Sequence, residues 1–186
     1  MQNIWLTGYR NYELGIFKND DVKIDIIKYA LKQRLIAFIE DGGKWILSGP
    51  QLGVEQWAIE SALELKKEYN DLKVGLLLPF ANFGKQWQQE KQQKLLNLKE
   101  QVDYWANVSD NNYQGPKQLQ NYQKFMLEHT QGSILLYDLE REGKSQYDYQ
   151  VISAYQVQHA DYALAMLTFD DLQEYAQDFA EKQNFA

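Results

Sequence analysis

Short apolar runs alternate with segments of helical period along this chain, and that alternation restricts the fold more than any other feature. The runs are Ile4-Trp5-Leu6, Trp45-Ile46-Leu47, Val74 to Leu78, Val102 to Val108, Ser133 to Asp138 and Tyr162 to Leu167. Between the first two, residues 21–40 place Ile24, Ile27, Leu31, Leu35 and Phe38 on one helical face. Asp20 or Asp21 can cap its start, and Gly42-Gly43 can end it. Residues 52–69 align Val54, Ala58, Ala62, Leu65 and Tyr69 in the same way. A Gln-rich, weakly apolar helix is expected over 85–100, and another from Pro116 to His129. Helices through Val151, Ile152 and Tyr155 and from Asp170 or Asp171 complete the series, with Phe179 to Ala186 as a fraying end. Val74-Gly75-Leu76-Leu77-Leu78 is apolar without alternation, as in a strand covered on both faces. Strand and helix in strict succession predict an α/β fold: three layers, α/β/α, around a mainly parallel sheet of about six strands. With 186 residues and no flexible linker, one domain over 1–186 is expected.

Composition narrows the function classes. The formal charge is −7, which disfavours broad binding to nucleic acid or to an anionic membrane. Cysteine is absent, so disulfides, thiolate zinc sites and cysteine nucleophiles are excluded. His129 and His159 lack ligand-like spacing, and no metal site is expected. No apolar run approaches the ~18 residues of a membrane span. No basic-then-apolar leader is visible, so a cytoplasmic location is the default expectation.

In open parallel sheets, ligands lie outside the carboxyl ends of the strands. The second strand runs into Ser48-Gly49-Pro50-Gln51-Leu52-Gly53-Val54-Glu55 and then a helix. A glycine-bearing turn leading into a helix N-terminus reads as a cradle for an anion, most often phosphate. Ser48 Oγ is expected to donate to a phosphate oxygen, with Gly49 and Gly53 bracketing the turn. Glu55 can cap the helix, bind a ribose hydroxyl or act as a general base. The first strand ends in Gly8, Tyr9 and Arg10, offering a tight exit, a stacking ring and a planar cationic fork. Phe80 after the third strand is a candidate pocket wall. After the fifth come Asp138, Gly143 and Lys144, the lysine placed to neutralise a second phosphate. The glycine spacing matches neither Walker A nor the dinucleotide GxGxxG pattern.

Several blocks resemble the YpsA-like family of bacterial proteins in the SLOG superfamily of Rossmann-like domains. They are Thr7-Gly8-Tyr9-Arg10, Tyr12 to Phe17, Ser48-Gly49, Leu52-Gly53-Val54-Glu55, Leu78-Pro79-Phe80, Leu136-Tyr137-Asp138, Gly143-Lys144 and Phe169 to Leu172. The resemblance implies a Rossmann-like, SLOG-type domain that binds or senses a nucleotide-derived ligand, such as an ADP-ribose or NAD-like molecule. It also implies a link to cell division or stress responses. Ser48-Gly49-x-x-x-Gly53-x-acid-x-x-Ala58 is similar to the glycine motif of DNA-processing protein A, which binds single-stranded DNA; the acidic charge argues against that here. The LONELY GUY phosphoribohydrolases share the fold, but their Pro-Gly-Gly-x-Gly-Thr-x-x-Glu motif is absent. Three functions are therefore carried forward. The first is nucleotide-like ligand binding, with no metal cofactor. The second is nucleotide hydrolysis with Glu55 or Asp138 as acid or base. The third is single-stranded nucleic acid binding. A small nucleotide-like ligand is the expected partner, nucleic acid and membrane are not, and a homo-oligomer is compatible with all three.

Overall fold

The structure is a computed structural model, and it describes residues 1–185. Six parallel strands form one sheet: β1 (Asn3–Gly8), β2 (Trp45–Ser48), β3 (Lys73–Leu78), β4 (Tyr104–Asn107), β5 (Gly132–Leu136) and β6 (Ala163–Leu167). Six helices alternate with them: α1 (Val22–Glu40), α2 (Val54–Leu65), α3 (Gln89–Gln101), α4 (Pro116–Glu128), α5 (Gln146–Gln158) and α6 (Phe169–Asn184). A 3₁₀ turn at Asn11–Leu14 follows β1. The spatial order is β4-β3-β2-β1-β5-β6, and every pair is parallel. The three-layer, Rossmann-like α/β fold expected from the alternation is thus the fold observed.

Handedness explains how the layers form. Right-handed crossovers that step from β1 outward to β4 place α1, α2 and α3 on one face. The chain then returns across the sheet to β5, which puts α4 and α5 on the other. The packing agrees: α1 lies against α2 and α6, α2 against α3, and α4 against α5. The step direction reverses at β1, between β2 and β5. That is the switch point, where a crevice opens at the carboxyl edge.

Burial follows position in the sheet. Trp5, Leu6, Ile46, Val74, Leu76, Leu78 and Leu135 are fully enclosed, since the central strands are covered on both faces. The edge strand β4 leaves Tyr104 and Trp105 exposed, with the Lys99 ammonium 4.4 Å above the Trp105 ring. In α1 the buried face is the expected one, with Ala30 added. Helix α2 buries nine of its twelve residues, Glu55 and Gln56 among them, because it packs between α1 and α3 over three strands. It starts and ends further inside the chain than its apolar stripe suggested, at Val54 and Leu65. Thr168, rather than Asp170 or Asp171, caps α6, and Asp171 answers with a bond to the Thr168 amide. That helix continues to Asn184 instead of fraying from Phe179; Ala186 lies outside the described residues. Among the described residues no helix is long and apolar enough to cross a membrane.

Candidate functional site

A cleft of ≈560 Å³ opens at the switch point, between the carboxyl edge of β1–β3 and helices α4 and α5. Arg10 enters it from the end of β1, Gln51 and Glu55 from the turn after β2, and Pro79 from the end of β3. Tyr122 and Gln123 come from α4, Lys144 from the loop before α5, and Tyr147 and Asp148 from the first turn of α5.

The floor is a hydroxyl shared by two carboxyl groups. Thr7 Oγ1 lies 2.8 Å from Glu55 Oε1 and 3.3 Å from Asp148 Oδ2. A hydroxyl has one hydrogen and can donate to only one carboxylate at a time. With a single proton on the pair, Thr7 accepts from one carboxyl and donates to the other, and the chain is satisfied. The remaining oxygens are held too. Glu55 Oε2 accepts the Gln51 amide at 2.9 Å, and Asp148 Oδ1 accepts Gln123 Nε2 at 2.7 Å. Burial pushes the Glu55 carboxyl up to about 7; Arg10 draws it down and Asp148 pushes it further up. Burial likewise raises Asp148, against the pull of Gln123 and Arg10. Above them sits the Tyr122 hydroxyl, buried and without a hydrogen-bond partner. Desolvation, reinforced by the nearby carboxyl groups, holds it well above the ordinary phenol range, so it remains a donor.

The expected phosphate cradle is filled by the chain itself, which corrects the reading of Ser48 to Gly53. Ser48 Oγ is turned into the sheet and donates to the Leu6 carbonyl at 2.6 Å. The Gln51 amide is taken by Glu55, the Val54 amide by the Tyr9 carbonyl and the Gln56 amide by the Gln51 carbonyl. The Glu55 carboxyl therefore takes the place that an anion would occupy in this turn. Gly49 has no room for a methyl group: a Cβ would fall 2.4 Å from Glu55 Oε2 and 2.5 Å from the Tyr122 hydroxyl. Gly53 has φ 114°, and a Cβ there would strike the Tyr9–Asn11 backbone. Both glycines serve contact within the chain, where a ligand contact was expected.

Other candidates are placed differently from one another. Gly8 packs against Leu136 and Val54, and Gly143 against Glu13 and Tyr9. Tyr9 is buried; its ring stacks on Phe169, and its hydroxyl donates to the Arg141 carbonyl at 2.6 Å and accepts the Asp138 amide at 2.9 Å. It braces a loop and offers no face to a ligand. Asp138 lies outside the cleft, accepting the amides of Glu140 and Phe169. Phe80 packs on Phe83 and Tyr113, and the neighbouring Pro79 takes the cleft position. Arg10, Glu55 and Lys144 do meet in the cleft. Thr7, Tyr122, Gln123 and Asp148 were not singled out from the sequence. Asp148 lies in the first turn of α5, four positions past Lys144, the last residue that the strand-end rule drew in. Tyr122 lies on the buried stripe Gln118–Tyr122–Met126 of α4, where a polar tip among apolar neighbours was the available signal.

The family model named YpsA, described as the YspA SLOG family, matches residues 4–172. The chain belongs to that family. The matched span contains every residue of the cleft. A UPF0398 protein of Limosilactobacillus reuteri (strain DSM 20016) is 49% identical over 185 residues, covering 98% of this chain and 97% of its own. One from Pediococcus pentosaceus is 50% identical over 182 residues, covering 98% and 99%. One from Latilactobacillus sakei is 47% identical over the full length of both chains. As a YspA SLOG member, the chain carries its acid pair inside the family domain and not in an appended segment.

Proposed function

We propose that the cleft binds a small, phosphorylated, nucleotide-derived molecule. The observation that carries this reading is the meeting of two kinds of group in one cavity, the cations Arg10 and Lys144 and the carboxyl groups Glu55 and Asp148. Among the described residues the Arg10 guanidinium forms no ion pair, which leaves its planar fork for a phosphate. Glu55 and Asp148 suit sugar hydroxyls, which donate to carboxylates and accept from carboxylic acids. Tyr147 is 59% exposed at the edge and offers a ring on which a base can stack. The cavity is of the size that small-molecule ligands occupy.

Calorimetry against nucleoside mono- and diphosphates, ADP-ribose and NAD tests the reading. The expected result is saturable binding of at least one member, weakened about tenfold or more by Arg10→Ala, since charge-assisted hydrogen bonds are the strong ones. Silence of the folded protein toward the whole panel would refute it.

A further inference from the structure

We propose that a second cavity, behind the turn that follows β2, is a binding site for a small sugar phosphate. The cavity measures ≈240 Å³ and lies between the segment after β1, the first turns of α1 and α2, and the start of α3. It shares no lining residue with the switch-point cleft. The backbone explains the separation. The exit of β1 and the turn after β2 are bridged by the Asn11 amide on the Leu52 carbonyl and the Val54 amide on the Tyr9 carbonyl, each at 3.1 Å. From this bridge Arg10, Gln51 and Glu55 line the cleft, whereas Asn11, Leu52 and Gln56 line the second cavity. The proposal therefore goes beyond the binding reading above and does not depend on it.

Two observations carry the assignment. The first is Gln56, which lines the cavity and is 1% exposed. Its Nε2 donates to the Pro50 carbonyl at 2.9 Å, which fixes the amide's orientation, since the flipped amide would set two oxygens face to face. Oε1 is thereby an enclosed acceptor without a hydrogen-bond partner. A buried acceptor left unpaired costs free energy, so a ligand suited to this cavity brings a donor. The second observation is charge. Three lysines and one glutamate line the cavity, on a chain whose formal charge is −7. Lys94 is paired with Glu60 at 2.6 Å, and Glu90 accepts from Asn19 at 3.3 Å. Among the described residues Lys18 and Lys91 form no ion pair. A phosphate monoester carries about −1.5 to −2 charges at neutral pH, which two ammonium groups balance. Buried Ile16, Ile24 and Trp57 give the ligand's C–H groups an apolar wall. A sugar phosphate meets all three demands, with a hydroxyl for Gln56, a carbon frame for the wall and a phosphate for the lysines. The volume falls below the ~300 Å³ at which sites for drug-sized ligands begin, which favours a single sugar over a whole nucleotide.

Calorimetry on the full-length protein uses ribose 5-phosphate, fructose 6-phosphate and glucose 6-phosphate, with the parent sugars and inorganic phosphate as controls. Saturable binding of at least one sugar phosphate is expected, about tenfold or more tighter than its parent sugar and than inorganic phosphate. Lys18→Ala combined with Lys91→Ala should weaken it by about tenfold or more, and so should Gln56→Met. The double lysine variant should keep the wild-type urea midpoint and the wild-type affinity for nucleotides, because both side chains are exposed and lie outside the cleft. Binding of no sugar phosphate would overturn the second site. So would binding that the lysine variant leaves intact, that inorganic phosphate matches, or that is lost only in Arg10→Ala, which would put the ligand in the cleft. Silence toward nucleotides beside binding of a sugar phosphate would overturn the cleft reading alone. Should Gln56→Met fail to fold, the lysine variant still decides between these outcomes.

Discussion

Glu55 occupies the place that a ligand's phosphate was expected to take, and this one side chain reorganises the site. A helix N-terminus attracts an anion whether it comes from a ligand or from the chain. Here the Gln51 amide already donates to the Glu55 carboxyl. The sequence carried this in plain view, with an acid in the first turn of α2, yet the same letters serve a helix cap, a ribose contact or a base equally well. What separates them is burial, and burial depends on α4, whose Tyr122 closes the turn from the far side of the chain's return crossover. Gly49 is the residue most sensitive to this closure. Gly49→Ala should push Glu55 and Tyr122 apart and destabilise the fold by about 1–3 kcal/mol, the usual cost of overpacking a close contact. Urea denaturation would measure the loss. A variant as stable as the wild type would mean that the floor of the cleft is looser than described.

At the scale of elements, alternation and apolar stripes were enough to read the order β-α-β-α through the chain, because each central strand is a continuous apolar run. Boundaries were less legible. The apolar stripe of α2 continues to Tyr69 in the sequence, but the helix stops at Leu65 and turns carry the chain to β3. Long-range braces between loops were not legible at all, since nothing in the letters says that Tyr9 reaches residues 138–141. That brace links the exits of β1 and β5 on either side of the crevice, and Glu13 adds a second by accepting the amides of Arg10 and Lys144, each at 2.7 Å. Both cleft cations are therefore set by loops tied to each other. Tyr9→Phe keeps the ring stack and removes the hydroxyl, leaving the Arg141 carbonyl without its donor and the Asp138 amide without its acceptor. A cost of about 1–3 kcal/mol is expected from that loss. Amide exchange should accelerate over residues 138–144, with β1 itself protected as before. Uniform acceleration across the sheet would show that the hydroxyl supports the whole molecule and not the loop pair.

For the whole molecule, an acid pair held in a buried floor couples folding to pH. The Glu55 carboxyl ionises at about 7 in the folded chain against an ordinary 4.5. Below the ordinary value both states carry the proton, and the contribution to stability is complete. Between there and about 7 the unfolded chain has ionised while the folded one keeps its proton, so the unfolded state binds fewer protons and stability falls as pH rises. Above that range Glu55 is ionised in both states, and the loss amounts to about 3 kcal/mol at ~1.4 kcal/mol per pH unit. Asp148 is raised too and acts in the same direction. Glu60 runs the other way. Lys28 of α1 and Lys94 of α3 each hold it at 2.6 Å, and its carboxyl is lowered. Asp103 is lowered similarly by Lys66, the Val74 amide and Lys73. Their stabilisation is lost only as pH falls below the ordinary carboxylate range, so the two effects occupy separate windows. Stability should therefore peak near pH ~5 and decline toward neutrality, in contrast to a fold whose carboxylates are all paired. Urea titrations at pH ~5 and ~7.5 measure the decline, and Glu55→Gln should remove most of it by taking away the proton that differs between the states. A wild-type stability that holds level across that interval would mean that solvent reaches the pair in solution. The neutral-pH penalty is the expected signature of a site that keeps a titratable proton in the interior at the expense of stability.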